Sequence, residues 1–259
     1  VQTVHDFTYE RYWRGPARWI HSAQKRRALR SADGIICISE NTQRDLLEFF
    51  PEIPKERTRI IHQGYSEVFQ PLEQTSASQL IKAHVGFDLA FSVYVGDRSA
   101  YKNFKVAVDA VCQLSGHHLV IVGGGSLKDG ERVYLQNRLP GRWVHVDKAP
   151  GPLLNAFYNR AHALIYPSSY EGFGIPVLEA MAAACPVIAV AASSIPEVAG
   201  DAGLLVPLPD ADLVAAQLRG LADPLLRRTV IEAGSRQAQR FSWERCYKQT
   251  LDFYAEIQA

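Results

Sequence analysis

Short runs of β-branched residues alternate with longer helical stretches along this chain, and that alternation limits the possible folds more than any other feature. The runs with the composition of buried strands are Gly34–Ser39, Arg59–His62, Phe91–Gly96, His118–Gly123, Trp143–Val146, Ala163–Tyr166 and Pro186–Val190. The helical stretches predicted between them are Asn41–Phe50, Asn103–Leu114, Gly130–Leu139, Pro152–Ala161, Ile175–Ala184, Ala211–Ala222 and Pro224–Arg240. Asn41 and Asp210 are suited to cap two of these helices. Such alternation is typical of βαβ units and predicts an α/β fold with parallel sheets.

The strand–helix rhythm weakens between Gln70 and Leu89, and we place a domain boundary in this region, after residue 72. The part before it carries too few predicted strands for a complete doubly wound domain, whereas residues 73–240 carry a full set. The first residues, Val1–Val4, already have the composition of a strand, and the only methionine is Met181. We therefore expect the chain to begin inside its first domain, with the preceding segment missing or supplied by another chain.

Charge and cysteine content argue against several classes of protein. The 28 Lys and Arg residues nearly balance 27 Asp and Glu, and the net charge of +1 gives no general reason to bind nucleic acid. The four cysteines are far apart and form no CxxC pair, which argues against a zinc site and for reduced thiols, although an even count leaves disulfides open. These residues also show no secretory signal pattern. Together the features predict a cytoplasmic protein.

A glycine-rich turn follows one predicted strand at Gly123–Gly130. A dinucleotide-binding GxGxxG motif starting at Gly123 needs glycine at position 128, where Lys128 stands. A Walker loop ending at Gly130 needs lysine next, where Glu131 stands. Because both motifs fail, these residues predict a tight turn rather than a phosphate cradle.

The stretch Ser168–Glu179 (SSYEGFGIPVLE) combines a glycine-bearing loop with the start of a helix near Pro176. The free amide groups and positive dipole end of a helix attract anions, and glycines let a ligand approach the backbone. Glu171 and Glu179 flank this site, and carboxylates accept hydrogen bonds from sugar or ribose hydroxyls. The stretch therefore predicts an anion site beside groups that recognise a polyol.

Two cations, Arg98 and Lys102, follow the end of another predicted strand, where open α/β sheets bind ligands. They could neutralise a diphosphate there, but residue type alone favours ordinary surface charge. His5 and Asp6 follow the first predicted strand, and such a pair is more often structural than catalytic when it stands alone.

Together these motifs resemble the retaining glycosyltransferases of family 4, which have the GT-B fold of two Rossmann-like domains. The resemblance covers nearly the whole chain, and its Glu-x7-Glu element is highly specific. It points to bacterial enzymes that build O-antigen, capsule or exopolysaccharide, among them mannosyltransferases. The matching blocks are the His5-Asp6 pair, Ala32–Leu46, Ile60–Pro71, Tyr94–Phe104, Ile121–Gly125, Tyr166–Ala182 and Ser193–Val206.

The resemblance implies roles for individual residues. Glu171 would hydrogen-bond the transferred sugar, Glu179 would bind the nucleotide ribose, and His5 would reach the donor sugar beside the reacting carbon. The groups implied to hold the donor's diphosphate and sugar are Arg98, Lys102 and the backbone of Gly172, Phe173, Gly174 and Ile175. Arg98 and Lys102 are four residues apart, closer than in some family members, which leaves the phosphate that Arg98 would contact open.

The resemblance also implies the organisation and the substrates. Residues 1–72 would be the end of an incomplete acceptor-side domain, residues 73–240 the donor-binding domain, and residues 241–259 a helix crossing back to the first. Transfer would retain the anomeric configuration and need no metal or other cofactor. The donor would be a GDP- or UDP-sugar, with GDP-mannose the best guess, and the acceptor a saccharide or a lipid-linked saccharide of surface polysaccharide synthesis.

The stretch Arg11–Arg30 contains seven basic residues, three large aromatics and no acidic residue. It could bring the protein to the inner face of a membrane or contact a lipid-diphosphate acceptor. The alternative, which the residues favour slightly, is a helix that packs Ala17, Ile20 and Ala23 on the sheet and leaves its basic face in water.

Two other functions fit parts of the pattern. One is a non-catalytic chain that binds a nucleotide-sugar and needs a partner to supply the first half. The other is a nucleotide-sugar epimerase, which the context of the Glu-x7-Glu element makes the weaker candidate.

Overall fold

Two parallel β-sheets with flanking helices make up the protein, for which a computed structural model describes residues 1–86 and 89–258. Phe87, Asp88 and Ala259, which fall in the predicted boundary region and the predicted last segment, lie outside the described residues. The strands are β1 (Gln2–Val4), β2 (Ile35–Cys37), β3 (Thr58–Ile60), β4 (Phe91–Val95), β5 (His118–Val122), β6 (Trp143–Val146), β7 (Leu164–Tyr166), β8 (Val187–Val190) and β9 (Leu204–Val206). The helices are α1 (Thr8–Tyr12), α2 (Pro16–Ser31), α3 (Glu40–Phe49), α4 (Gln74–Val85), α5 (Phe104–Cys112), α6 (Asp129–Arg138), α7 (Gly151–Arg160), α8 (Ile175–Ala182), α9 (Ile195–Ala199), α10 (Ala211–Gly220), α11 (Pro224–Ala238) and α12 (Trp243–Gln258).

The smaller sheet has the order β1-β2-β3, with all pairs parallel. Ile35 of β2 lies opposite Gln2 on one side and Thr58 on the other. Ile35 and Ile36 point to opposite faces of the sheet. On the face of Ile36, helix α12 packs against the sheet through Phe253. Gly34 allows this approach, because an added Cβ there would lie 2.1 Å from the Cδ1 atom of Ile257.

The larger sheet has the order β6-β5-β4-β7-β8-β9, again with parallel pairs. The chain runs outward from β4 to β5 and β6, then returns to place β7 on the other side of β4. The loops that follow β4 and β7 therefore leave neighbouring strand ends in opposite directions, which makes this place the topological switch point of the sheet. In open α/β sheets this switch point is where ligands bind.

Nearly every residue of β4, β5, β7 and β8 is buried, as expected for a parallel sheet covered by helices on both faces. One face carries a cluster that includes Val93, Leu164 and Ala189, and the opposite face a cluster that includes Tyr94 and Ile165. These two cores hold the switch point rigidly between them.

The predicted α/β class with parallel sheets is confirmed. Two local expectations are wrong. The sequence pattern predicts no helix in the region where the rhythm weakens, but α4 lies there. Its apolar pattern is short, because only Ala77 and Ile81 of that helix are fully buried. The N-cap of α3 is Ser39, whose hydroxyl accepts the amide of Thr42, and Asn41 lies inside the helix.

Asp210 does cap α10, as predicted, by accepting two amide groups. The division after residues 72 and 240 stays a prediction. Within the described part of the chain, no helix is both long and apolar enough to cross a bilayer.

Candidate functional site

A buried ion pair lies at the switch point of the larger sheet. The Nζ atom of Lys102, in the loop after β4, donates to both carboxylate oxygens of Glu171, in the loop after β7, at 2.8 Å each. Burial alone would lower the pKa of Lys102, but the facing carboxylate outweighs it and raises this pKa above its ordinary value. Burial, and after it the nearby Glu171 carboxylate, raise the pKa of Tyr166 at the end of β7. The structure thus brings two predicted site residues into direct contact.

Side-chain and backbone bonds join the two loops that carry this pair. Asn103 adopts a left-handed conformation with φ of 50°, and its side-chain amide donates to the carbonyl of Pro167 at 2.9 Å and the hydroxyl of Ser169 at 2.7 Å. The amide of Ser169 in turn donates to the carbonyl of Tyr101 at 2.8 Å. Lys102 is therefore held in place from both sides along the chain.

Two serines from the loop between β8 and α9 hold the backbone beside Glu171. The hydroxyl of Ser193 accepts the amide of Glu171 at 2.8 Å. The hydroxyl of Ser194 donates to the carbonyls of Glu171 and Phe173, at 3.0 and 2.8 Å. Both serines open the block 193–206 that carried the resemblance, but their residue type gave no signal of this role.

Gly172 lies where the two halves of the molecule, built on the smaller and the larger sheet, are in contact. A Cβ added to it would lie 1.9 Å from the backbone oxygen of His5, so only glycine fits. The carbonyl of Gly172 also accepts hydrogen bonds from Ser39, at 2.7 Å, and Thr42, at 3.2 Å. His5 itself is exposed, at the end of β1. The structure thus places His5 next to the predicted donor loop.

The loop ends at helix α8, whose N-cap is Gly174 with φ of 110° and whose first turn contains Pro176. Left-handed backbone at this position favours glycine. Pro176 has no N–H and the amide of Val177 donates to the carbonyl of Gly174 at 2.9 Å, so the start of α8 offers an anion the amide of Ile175 and the positive end of the helix dipole. Ile175, the first residue of α8, is half-buried there.

Glu179 lies one turn further along α8. It accepts a hydrogen bond at 3.2 Å from the hydroxyl of Tyr158 on α7. Burial raises the pKa of Glu179 to about 7, and the bond from Tyr158 offsets only part of that effect. A ligand that donates hydrogen bonds to this carboxylate would stabilise its ionised form and lower its pKa.

Arg98 has different neighbours from those expected. Its guanidinium donates to backbone carbonyls of the glycine turn at 123–126 and to the carboxylate of Glu131. Lys102, by contrast, contacts Glu171. The two cations predicted to share a diphosphate therefore have separate partners in this structure.

Further polar contacts cross between the two halves, and no sequence motif predicts them. Tyr170 donates to the buried carboxylate of Asp45 at 2.6 Å and accepts the amide of Phe7 at 2.9 Å. Glu197 of α9 accepts the amide of Glu40 and lies 2.5 Å from a ring nitrogen of His62. These bonds hold the end of β1 and the start of α3 against the loops of the larger sheet.

No group of three or more His, Cys, Asp and Glu side chains is arranged to hold a metal ion within residues 1–86 and 89–258. The described site instead offers one lysine, two carboxylates, a helix start and an open-backbone loop. This set suits a ligand with both phosphate and hydroxyl groups.

Two family profiles match the chain. The profile described as glycosyl transferases group 1 matches residues 82–237, and the profile described as glycosyltransferase family 4 matches residues 1–67. The first match covers more than half of the chain and contains the whole switch-point site.

Individual proteins match over most of the chain. The O-antigen chain mannosyltransferase B of Escherichia coli is 29% identical over 235 residues, which cover 88% of this chain and 61% of that protein. The alpha-maltose-1-phosphate synthase of Mycolicibacterium smegmatis is 27% identical over 285 residues, covering 100% of this chain and 73% of that protein. The structure of Anabaena HepE in complex with UDP-glucose superposes with a TM-score of 0.84 at 16% identity, over 98% of this chain and 71% of that one.

The fold is therefore GT-B, as predicted. The chain spans 61% of the length of the mannosyltransferase that it matches.

Proposed function

Because the chain belongs to the glycosyl transferases group 1 family, we propose that it moves a sugar from a nucleotide-sugar donor to a saccharide or lipid-linked acceptor, with retention of configuration. The observation that carries this proposal is the Lys102–Glu171 pair at the switch point. Lys102, the cation that we propose for the diphosphate, and Glu171, the carboxylate that we propose for the sugar, lie side by side next to a helix start.

In the proposed complex, the diphosphate lies between Lys102 and the amide groups of the Gly172–Ile175 loop. These groups stabilise the negative charge that grows on the diphosphate as it leaves. Glu171 accepts hydrogen bonds from hydroxyls of the transferred sugar, and Glu179 accepts them from the ribose. Chemistry of this kind needs no metal, since the protein already supplies positive charge where the leaving group develops.

His5 approaches the sugar from the other half of the molecule. The backbone oxygen of His5 lies against Gly172, so its exposed side chain begins beside the proposed donor loop. We propose that His5 contacts the donor sugar near the reacting carbon. The acceptor attacks on the face that the diphosphate leaves, and an oxygen of the departing phosphate takes the acceptor's proton, which retains the configuration.

GDP-mannose is the proposed donor, with UDP-sugars as the next choice. Support comes from the likeness to the Escherichia coli mannosyltransferase. The chain is also 27% identical to the alpha-maltose-1-phosphate synthase of Mycolicibacterium smegmatis, so both lipid-linked and saccharide acceptors enter the test.

The test has a binding step and a transfer step. Thermal unfolding with UDP, GDP, dTDP and their common sugars identifies the base, because a ligand at a hundred times its dissociation constant stabilises by about 2.7 kcal/mol. Transfer is then measured with the selected donor and lipid-linked or saccharide acceptors, and the product anomer is determined. We expect Glu171→Gln to abolish transfer while Glu232→Gln, at an exposed position on α11, leaves it unchanged.

The outcomes separate the alternatives. Donor binding without transfer to any acceptor would favour the non-catalytic chain that needs a partner for its first half. A changed donor sugar in the absence of acceptor would indicate an epimerase. Native transfer rates in the Glu171→Gln variant would refute the roles assigned to the site.

We also propose that the protein works at the cytoplasmic face of a membrane and contacts it through the Arg11–Arg30 stretch. The expected packing of Ile20 and Ala23 on the sheet is wrong: Ile20 is 61% exposed and Ala23 is exposed, while the side chain of Ala17 lies outside the described part. Trp19 is 73% exposed beside them. Four basic residues of the stretch pair with carboxylates elsewhere in the chain, namely Arg11, Lys25, Arg26 and Arg30. Arg14, Arg18 and Arg27 form no ion pair among the described residues, and they are the charges that would meet an anionic lipid surface. Sedimentation with phosphatidylglycerol vesicles, but not with phosphatidylcholine vesicles, and its loss in Trp19→Ser would support the contact; equal sedimentation with both would refute it.

A further inference from the structure

The guanidinium of Arg98 forms most of its hydrogen bonds with groups of the protein itself. Nη1 donates to the carbonyl of Gly123 at 2.8 Å, and Nη2 lies 3.1, 2.9 and 3.0 Å from the carbonyls of Gly124, Gly125 and Ser126. Nε donates to the carboxylate of Glu131 at 3.0 Å. Of the five N–H groups of a guanidinium, the one on Nε and one of the two on Nη1 each have one acceptor here, and the two on Nη2 share three carbonyls. With only 3% of the side chain exposed, little remains for a phosphate.

The glycine turn is shaped around this guanidinium. Gly123, Gly124 and Gly125 all have positive φ, at 88°, 78° and 69°. Since their peptide bonds are trans, carbonyls that converge on Arg98 require the paired amide groups to point away from it. The inner face of the turn therefore binds a cation, which explains three successive glycines without a phosphate cradle.

The same turn touches the loop that carries Lys102. A Cβ added to Gly124 would lie 2.4 Å from Nη1 of Arg98, 2.9 Å from the carbonyl of Gly96 and 3.0 Å from the Cα atom of Asp97. Tyr94 adds a hydrogen bond to the carbonyl of Asp97. Arg98 and the turn thus hold the first residues of the 96–103 loop, at whose other end Lys102 faces Glu171.

We propose that Arg98 is a positioning residue for Lys102 and not a diphosphate ligand. Through the glycine turn it holds the 96–103 loop in the conformation that presents the Lys102 ammonium to the donor. This inference rests on the proposed function, and it replaces the role that the resemblance implied for Arg98.

A double-mutant cycle tests the inference on the full chain. The affinity for the preferred nucleoside diphosphate, and for the matching nucleoside, is measured by calorimetry in native protein, Arg98→Lys, Lys102→Gln and the double variant. Lysine keeps the charge of Arg98 but loses the planar fork that five acceptors require. We expect Lys102→Gln to weaken diphosphate binding about tenfold, the effect of one charge-assisted hydrogen bond.

If Arg98 acts through Lys102, Arg98→Lys weakens diphosphate binding several-fold in the native background and has no further effect when Lys102 is already Gln. Nucleoside binding stays within about twofold throughout, a result that general loss of structure would not give. Gly124→Ala, which displaces the guanidinium without removing it, reproduces the loss. Thermal unfolding of each variant confirms that it is folded.

Two results would overturn the proposal. A loss in Arg98→Lys that persists in the Lys102→Gln background would make Arg98 a direct ligand. Native affinity in Gly124→Ala would show that the placement of the guanidinium does not affect how Lys102 meets the donor. Either result leaves the proposed function standing. Absence of nucleotide binding by the native chain would instead refute the proposed function, and this inference with it.

Discussion

Replacing Glu179 by Gln should stabilise the ligand-free protein and weaken donor binding. Burial raises the pKa of Glu179 from 4.5 to about 7, so the folded protein resists ionising a group that ionises readily when unfolded. One pKa unit corresponds to about 1.36 kcal/mol, and the shift therefore corresponds to about 3 kcal/mol. Gln has nearly the same shape, carries no charge and still accepts the bond from Tyr158.

The sign follows from proton binding. Between pH 4.5 and 7 the folded protein keeps a proton on Glu179 that the unfolded chain has lost, so the stability contribution falls as pH rises through this window. The Gln variant does not have this loss. We expect it to be more stable than native protein by about 1 kcal/mol at pH 5 and about 3 kcal/mol at pH 8.

Urea unfolding at pH 5 and pH 8, followed by tryptophan fluorescence and circular dichroism, measures both differences. Glu232→Gln on the exposed face of α11 is the matched control, and it should show no gain at either pH. Affinity for the donor should fall about tenfold in Glu179→Gln and lose its rise with pH around 7. A gain that does not depend on pH, or a loss of stability at pH 8, would refute the reasoning.

Three further predictions concern other parts of the molecule. Burial lowers the pKa of His117 to about 4, so stability should fall between pH 6.5 and 4, and His117→Asn should flatten that decline in urea unfolding; an unchanged decline would contradict it. Gly172→Ala places a methyl group against the backbone of His5 and should reduce transfer at least a hundredfold with folding retained, whereas native rates would show that the two halves need not approach so closely. Tyr170→Phe leaves the buried carboxylate of Asp45 without one of its donors and should cost about 1–3 kcal/mol in urea unfolding; a neutral effect would mean that water replaces the hydroxyl.

The sequence indicated the fold class and the two loops that meet at the switch point, but not which of their side chains pair. Strands of a parallel sheet are apolar on both faces, so runs such as His118–Gly123 are visible without a structure. Helix α4 was missed because much of its surface is polar, so its buried stripe is narrow. Ser39, and not Asn41, caps α3, since residue types at positions 39 and 41 both suit an N-cap and only the backbone conformation decides between them.

The pairing of Lys102 with Glu171 depends on strand order. β4 and β7 are neighbours only because the chain leaves β4 in one direction and returns on its other side, and residue patterns do not encode that order. Arg98 shows the same limit. Its type and place after a strand indicate a cation near a ligand, but the choice between a phosphate and a ring of carbonyls depends on the backbone of the glycine turn.

The Lys102–Glu171 pair has a consequence for turnover. In the ligand-free protein the two charges compensate each other. On the proposed function, donor binding is therefore an exchange of partners, in which the ammonium turns to the diphosphate and sugar hydroxyls donate to the carboxylate. The spent nucleotide, lacking the sugar, offers Glu171 nothing in return. On the proposed function, the carboxylate then reclaims its lysine, so the resting ion pair competes with the product and helps to expel it.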